Sequence, residues 1–180
     1  MALNNPSSQQ TQAQAPIELI AYCADWPARF EAERTLLEAV LAPWLAGRIQ
    51  HIGSTAVPGL PAKPVIDIMA PVLSLDASRD AIEAAATAGY AYFPYKPDAM
   101  HWFCKPTPTH RTHHLHLVPI GSPLWHQRLA FRNALRGDLA LAAEYAELKA
   151  RLAAQFALDR EAYTDGKTPF ITRVLASPQG

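Results

Sequence analysis

A short apolar run with one carboxylate at its centre, Val65-Ile66-Asp67-Ile68-Met69, constrains this chain more than any other feature. Its β-branched residues read as a strand inside a sheet. A lone Asp in such a strand destabilises it unless the carboxylate is paired or bound to a cation. Just upstream, His51-Ile52-Gly53-Ser54-Thr55-Ala56-Val57-Pro58-Gly59 reads as a strand ending in a Gly-Ser turn. Glycine lets the backbone approach a ligand closely, and Ser54 and Thr55 offer hydroxyls and N–H groups of the kind that hold phosphate. Together the two pieces point to a phosphate-and-metal site.

The pattern around this pair predicts an α+β domain with a mixed β-sheet flanked by helices and a helical C-terminal third. Residues 17–22 read as an edge strand. A helix starts at Asp25-Trp26-Pro27 and carries the apolar stripe Phe30, Leu37, Val40, Leu41 and Trp44; Pro43 and Gly47 close it. Strands are expected over 48–52 and 64–72, with a Pro/Gly-punctuated loop between them. A second helix over 78–88 has Ser78 as its N-cap and Gly89 just beyond its end. Strands over 90–95, 100–105 and 112–119 follow, the first two joined by a turn at Lys96-Pro97-Asp98. From Leu124 the period becomes helical, with Leu141, Tyr145, Leu148, Leu152 and Phe156 along one long helix. Thr168-Pro169 opens a last helix through Leu175.

At 180 residues the chain fits one domain over 16–180, after a disordered polar tail over 1–15. That tail has neither the basic nor the apolar region of a signal peptide, and no run is long enough to span a membrane. Sixteen basic and sixteen acidic residues balance, which argues against a broad nucleic-acid surface. Cys23 and Cys104 lack metal-ligand spacing, so a reducing cytoplasm is the expected location.

Strand alternation sharpens the candidate site. Asp67 shares a face with Met69, and His114 shares a face with His116 in Thr112-His113-His114-Leu115-His116. If the two strands are neighbours, Asp67, His114 and His116 converge near Gly53-Ser54 as a divalent-metal set. Such histidines read equally well as hydrogen-bonded polar residues at a pocket rim. Lys63, at the strand entry, could neutralise a phosphate as a point charge, or could be a solvated loop lysine. Lys105 shares its face with His101 and Phe103 and points to either the pocket or water; Trp102 and Cys104 read as core. Arg132 and Arg136 are one helical turn apart, as are Tyr145 and Lys149. Tyr163 and Lys167 bracket a turn, Thr164-Asp165-Gly166, that could close over a cleft. His51-Ile52-Gly53-Ser54 lacks the second histidine of a His-Ile-Gly-His adenylation motif. No P-loop, Gly-x-Gly-x-x-Gly or Ser/His/Asp arrangement is present.

Residues 22–26, His51 to Leu60, Lys63 to Ile68, Gly89-Tyr90, His114-Leu115-His116, Phe131-Arg132, Tyr145 to Lys149 and Tyr163 to Lys167 together resemble the GrpB family over nearly the whole chain. That family is assigned to the nucleotidyltransferase (DNA polymerase β-like) superfamily. In some bacteria a domain of this kind follows dephospho-CoA kinase. The resemblance implies a nucleotidyltransferase-like sheet. It also implies a Gly-Ser turn, two carboxylates two residues apart, and a third on a neighbouring strand, together holding two Mg²⁺ ions. Gly53-Ser54 and Asp67 match. Met69 stands at the second carboxylate, a group that cannot bind a hard cation, and the third position falls near His114 or His116. Asn133 stands where the family commonly has Asp.

The resemblance and the residues together define two functions. In the first, an enzyme transfers a nucleoside monophosphate from an NTP to an unknown acceptor. Asp67 and Lys63 are its catalytic groups, and Asp67, His114 and His116 are its ligands for Mg²⁺ or Mn²⁺, with Zn²⁺ as an alternative. Gly53, Ser54, Thr55, Lys105, Arg132, Lys149 and Lys167 contact the nucleotide. In the second, a non-catalytic module binds a nucleotide or CoA-like phosphate ester beside a CoA-pathway kinase. A metal-dependent hydrolase built on the histidines is a third, lesser reading.

Overall fold

Asp67 sits in a strand that has a hydrogen-bonded neighbour on either side. In the computed structural model, which describes residues 16–176, the described strands are β1 (Gln50–Ile52), β2 (Ile66–Val72), β3 (Ala91–Phe93), β4 (His101–Pro106) and β5 (Arg111–Pro119). Their order in the sheet is β1-β2-β5-β4-β3. β2 runs parallel to β5 and antiparallel to β1, and β4 pairs antiparallel with both β5 and β3. The mixed, helix-flanked α+β architecture is the one expected. The polar tail expected at 1–15 lies outside the described residues.

Alternation along the strands divides the sheet into two unlike faces. Ile66, Ile68, Ala70, Phe103, Leu115 and Leu117 pack against α1 (Trp26–Leu41) and α2 (Ala81–Thr87) in the larger core. Pro27 suits the first turn of α1, and Trp26, Phe30, Glu33, Leu37 and Leu41 recur at helical spacing on its buried side. Ile52, Met69, Trp102, Cys104 and Val118 take the opposite face and meet Trp125 of α3 (Pro123–Gly137). Asp67, His114 and His116 have the parity of this second face.

The helical third continues with α4 (Leu139–Gln155), α5 (Arg160–Asp165) and α6 (Thr168–Ala176). Ser122, Asp138 and Asp159 cap α3, α4 and α5 by accepting the backbone N–H groups of Trp125, Leu141 and Ala162. Val57 and Leu60 of the loop after β1 pack against Leu135, Tyr145, Phe170 and Val174, which fixes α4 beside the Gly-Ser turn. Ile17, Leu152 and Tyr163 form a further cluster that seats α5 on α4. No described helix is long and apolar enough to cross a membrane.

Three local expectations change. Residues 17–22 form only one bridge, Ile20 to Ala62, because Pro61 and Pro64 flank Ala62 and cannot donate to a longer ladder. The second helix begins at Ala81 rather than Ser78, since the Ser78 hydroxyl donates to Ser74 O and Leu75 O in the turn before it. Gly89, at φ +84°, does end that helix: its N–H bonds Ala86 O and that of Tyr90 bonds Ala85 O. Of the turn expected at Thr164-Asp165-Gly166, Thr164 and Asp165 end the short helix α5, capped by Asp159, and the turn proper is Gly166-Lys167.

Candidate metal and phosphate site

Register brings the acid and the imidazoles together. Asp67 stands opposite His114 in the parallel β2–β5 ladder, and Met69 stands opposite His116. His114 Nδ1 donates to Asp67 Oδ1 at 2.9 Å, and His116 Nε2 lies 3.7 Å from the same oxygen. One ligand atom from each of the three residues falls within 4.8 Å of the others. Trp102 walls the site, its ring 5.0 Å from that of His114.

The chemistry of these groups suits a cation. Burial works against ionisation of Asp67, but the contacts to His114 and His116 outweigh it and hold the carboxyl well below the usual carboxylate range. Burial pushes His116 down to about 4, so its ring is neutral at pH 7. The Nε2 atoms of His114 and His116 are buried without a hydrogen-bond partner. Buried ring nitrogens are ordinarily satisfied, so these two, beside one carboxylate, could hold a cation. His116 Nδ1 meets Met100 Sδ at 3.3 Å, a weak contact that orients the ring.

The Gly-Ser turn is pressed against this acid. Gly53 has φ +72°, and a Cβ built on it would lie 2.5 Å from Asp67 Oδ2. Only glycine gives both that backbone angle and that approach. Behind the turn, His51 stacks on Phe30 and bonds through Nε2 to Thr55 Oγ1 at 3.0 Å, while the Thr55 hydroxyl donates to Val65 O. Thr55 therefore bolts the turn to the entry of β2 rather than facing a ligand.

Lysines occupy the other side of the turn. Lys149 on α4 is 2% exposed and donates to Ser54 Oγ at 3.1 Å and to Pro61 O. Lys63 and Lys167 lie over the one ring of Tyr163, at 5.0 Å and 4.4 Å from its centroid. Burial, with repulsion from Lys167 and Lys63, pushes Lys149 down to about 7. Burial and Lys63 push Lys167 down to about 8, against the favourable field of Asp67. Lys63 is lowered by burial in the same way.

Other expected contacts go elsewhere. Lys105 points to the opposite face, where it pairs with Glu33 at 2.7 Å and lies over Tyr90, half-buried and away from the site. Arg132 donates to His51 O and Gln50 Oε1, tying α3 to β1, and also to Asn133 Oδ1. Arg136 donates to Ala56 O. Met69 is fully buried among Ile52, Trp102 and Trp125, so the second carboxylate position belongs to the core. Arg128, one turn before Arg132, was missed; its positive field reaches His116, Tyr145 and Lys167. The four-residue recurrence Arg128, Arg132, Arg136 is the signal that could have found it.

The family profile described as GrpB protein matches residues 16–177. A UPF0157 protein of Deinococcus radiodurans is 39% identical over 83% of this chain and 76% of its own length. A UPF0157 protein of Pseudomonas aeruginosa is 39% identical over 88% of this chain, which spans 66% of it. Part of the chain, 70%, is 36% identical to 30% of a protein described as dephospho-CoA kinase from Mycolicibacterium paratuberculosis. The crystal structure of conserved protein GrpB from Enterococcus faecalis superposes with a TM-score of 0.78 at 31% identity, covering 87% of this chain and 94% of that one.

Two outcomes follow from the geometry. Gly53→Ala should lower unfolding free energy by about 1–3 kcal/mol in urea titration, because it forces strain at φ +72° and displaces Asp67. Folded Lys149 releases its proton near 7, whereas the unfolded side chain holds it to 10.5. The unfolded state therefore binds more protons between these values, and stability rises with pH across them. Melting curves from pH 7 to 9 should show a flatter rise for Lys149→Met than for the wild type.

Proposed function

The chain belongs to the GrpB family, and from that premise we propose that it is a divalent-metal-dependent nucleotidyltransferase-like protein acting on a phosphate-ester substrate. The observation that carries this reading is the set Asp67, His114 and His116, with two orphaned ring nitrogens, directly beside the Gly53-Ser54 turn. Asp67, His114 and His116 would hold the cation, which when bound supplies Lewis-acid polarisation of a phosphoryl oxygen. Two imidazoles and one carboxylate suit Mn²⁺ or Zn²⁺ better than Mg²⁺, which prefers oxygen ligands. With Met69 in the core, the residues present support one cation rather than two.

The chain's own groups account for the rest of the transfer. Ser54 and the backbone of its turn position the phosphate chain, and Lys63 stabilises the charge that builds on the leaving group. An acceptor hydroxyl oxygen bonds to the α-phosphorus of an NTP and gives up its proton to solvent water, the bond from that phosphorus to the α–β bridging oxygen breaks, and pyrophosphate leaves with the electron pair. Asp67, held ionised by its histidine contacts, is placed to orient the acceptor.

A second reading is a module that binds a CoA-like phosphate ester without turning it over. The buried Met69 favours it, as does the similarity to part of a dephospho-CoA kinase. Pyrophosphate release, measured with each NTP and Mn²⁺, Zn²⁺ or Mg²⁺ over a panel of hydroxyl acceptors, separates the two. Transfer predicts release that falls at least 100-fold in Asp67→Asn, the scale of losing a transition-state electrostatic contact. Saturable nucleotide or CoA binding with no release in any mixture would support the module instead.

A further inference from the structure

Of the two hydroxyls in the Gly-Ser turn, one is tied to the fold and the other faces an amine. The Thr55 hydroxyl donates to Val65 O and is held by His51. The Ser54 side chain, half-buried, meets Lys149 Nζ at 3.1 Å. Lys149 is 2% exposed, and its contacts are uncharged: Ser54 Oγ, Pro61 O and the Tyr145 ring, whose centroid lies 5.1 Å from Nζ. Among the described residues no carboxylate pairs with it. The charged groups that face it are Lys63, from the entry to β2, and Lys167, just before α6, and both repel an ammonium. Tyr145, beside it on α4, keeps its phenol proton because burial pushes that group up.

Such surroundings favour the neutral form of a lysine. Burial and the two neighbouring lysines hold Lys149 at about 7, so near neutral pH its amine offers a lone pair. At its two hydrogen bonds a neutral amine can donate to Pro61 O and accept the Ser54 hydroxyl proton. A base at hydrogen-bond distance is what makes a serine nucleophilic, and serine with lysine as its base recurs on unrelated folds. The pair is also held in place: Gly53 seats the turn against Asp67, and Thr55 bolts it to the entry of β2.

Resting on the nucleotidyl-transfer reading above, we propose that Ser54 is a nucleophile toward phosphorus and that Lys149 is its general base. The chain is then its own acceptor and carries a nucleoside monophosphate as an ester on Ser54. Ser54 Oγ bonds to the α-phosphorus of an NTP, and its proton passes to the Lys149 amine. The bond from that phosphorus to the α–β bridging oxygen breaks, and pyrophosphate leaves with the electron pair. A second hydroxyl oxygen can then bond to the phosphorus, losing its proton to water. Ser54 Oγ leaves with the electron pair and recovers its proton from Lys149.

Labelling of the full chain with an alkyl fluorophosphonate in EDTA, read by intact-protein and peptide mass spectrometry, tests the pair without nucleotide or metal. The serine oxygen bonds to the probe's phosphorus and fluoride leaves, so the adduct reports the nucleophile directly. One adduct per chain is expected at Ser54, forming faster as pH rises from 6 to 8, levelling above that, and absent in Ser54→Ala. Lys149→Arg keeps the positive charge but has no lone pair to offer, and should label at least 100-fold more slowly at pH 8, the scale of losing a general base. The wild-type pH profile carries the test even where a variant does not fold. No adduct at Ser54, a rate that does not level above pH 8, or wild-type labelling of folded Lys149→Arg would overturn the pair. Incubation with each NTP and Mn²⁺ should place one nucleotidyl group on Ser54. Fluorophosphonate labelling with no nucleotidyl adduct would sink the nucleotidyl-transfer reading and keep the nucleophile. Transfer to added hydroxyl acceptors with Ser54 inert to the probe would sink the nucleophile alone.

Discussion

One carboxylate in an otherwise apolar strand organises the site. Asp67 has to be satisfied inside the sheet, and the parallel pairing of β2 with β5 does this by setting His114 opposite it and His116 two residues on. The same carboxylate sets how near the Gly53 turn comes, since any side chain at that position would strike it. Gly53, His114 and His116 are placed directly against that acid, and Lys149 meets the adjoining Ser54.

The elements that carry the site were legible because their signals are local. Alternation puts Asp67 and Met69 on one face and His114 and His116 on one face, and Gly-Ser marks a turn. Whether those faces coincide depends on strand order, which alternation alone does not reveal. Lys105 shows the limit: its parity with His101 and Phe103 was correct, but the partner awaiting it was Glu33 on α1, on the face away from Asp67. Thr55 has a ligand-like hydroxyl that is taken up by His51 and Val65 O, a contact set by the three-dimensional turn. The burial of Lys149 has no local signal in the sequence, because it follows from Val57 and Leu60 docking on α4 beside Tyr145. Residues 17–22 failed as a strand for a readable reason, the prolines on either side of Ala62.

The two faces of the sheet differ in the charge they carry, not in whether every polar atom is satisfied. Buried polar atoms without a hydrogen-bond partner occur on both faces: the Tyr90 hydroxyl and His101 Nδ1 on the side of the larger core, and the Nε2 atoms of His114 and His116 beside Asp67. His51, neutral because burial pushes it down to about 4, stiffens the turn without adding charge. Arg132 and Arg136 direct their charges to backbone oxygens of β1 and the loop.

The account stands or falls on the cation. Calorimetric titration of Mn²⁺ and Zn²⁺ into metal-stripped protein, repeated on His116→Ala and Asp67→Asn, tests it most directly. One cation per chain, with affinity lowered at least tenfold in each variant, is the predicted result. Absence of binding, or binding indifferent to both substitutions, would mean that Asp67 and its histidines are a hydrogen-bonded structural cluster and not a metal site.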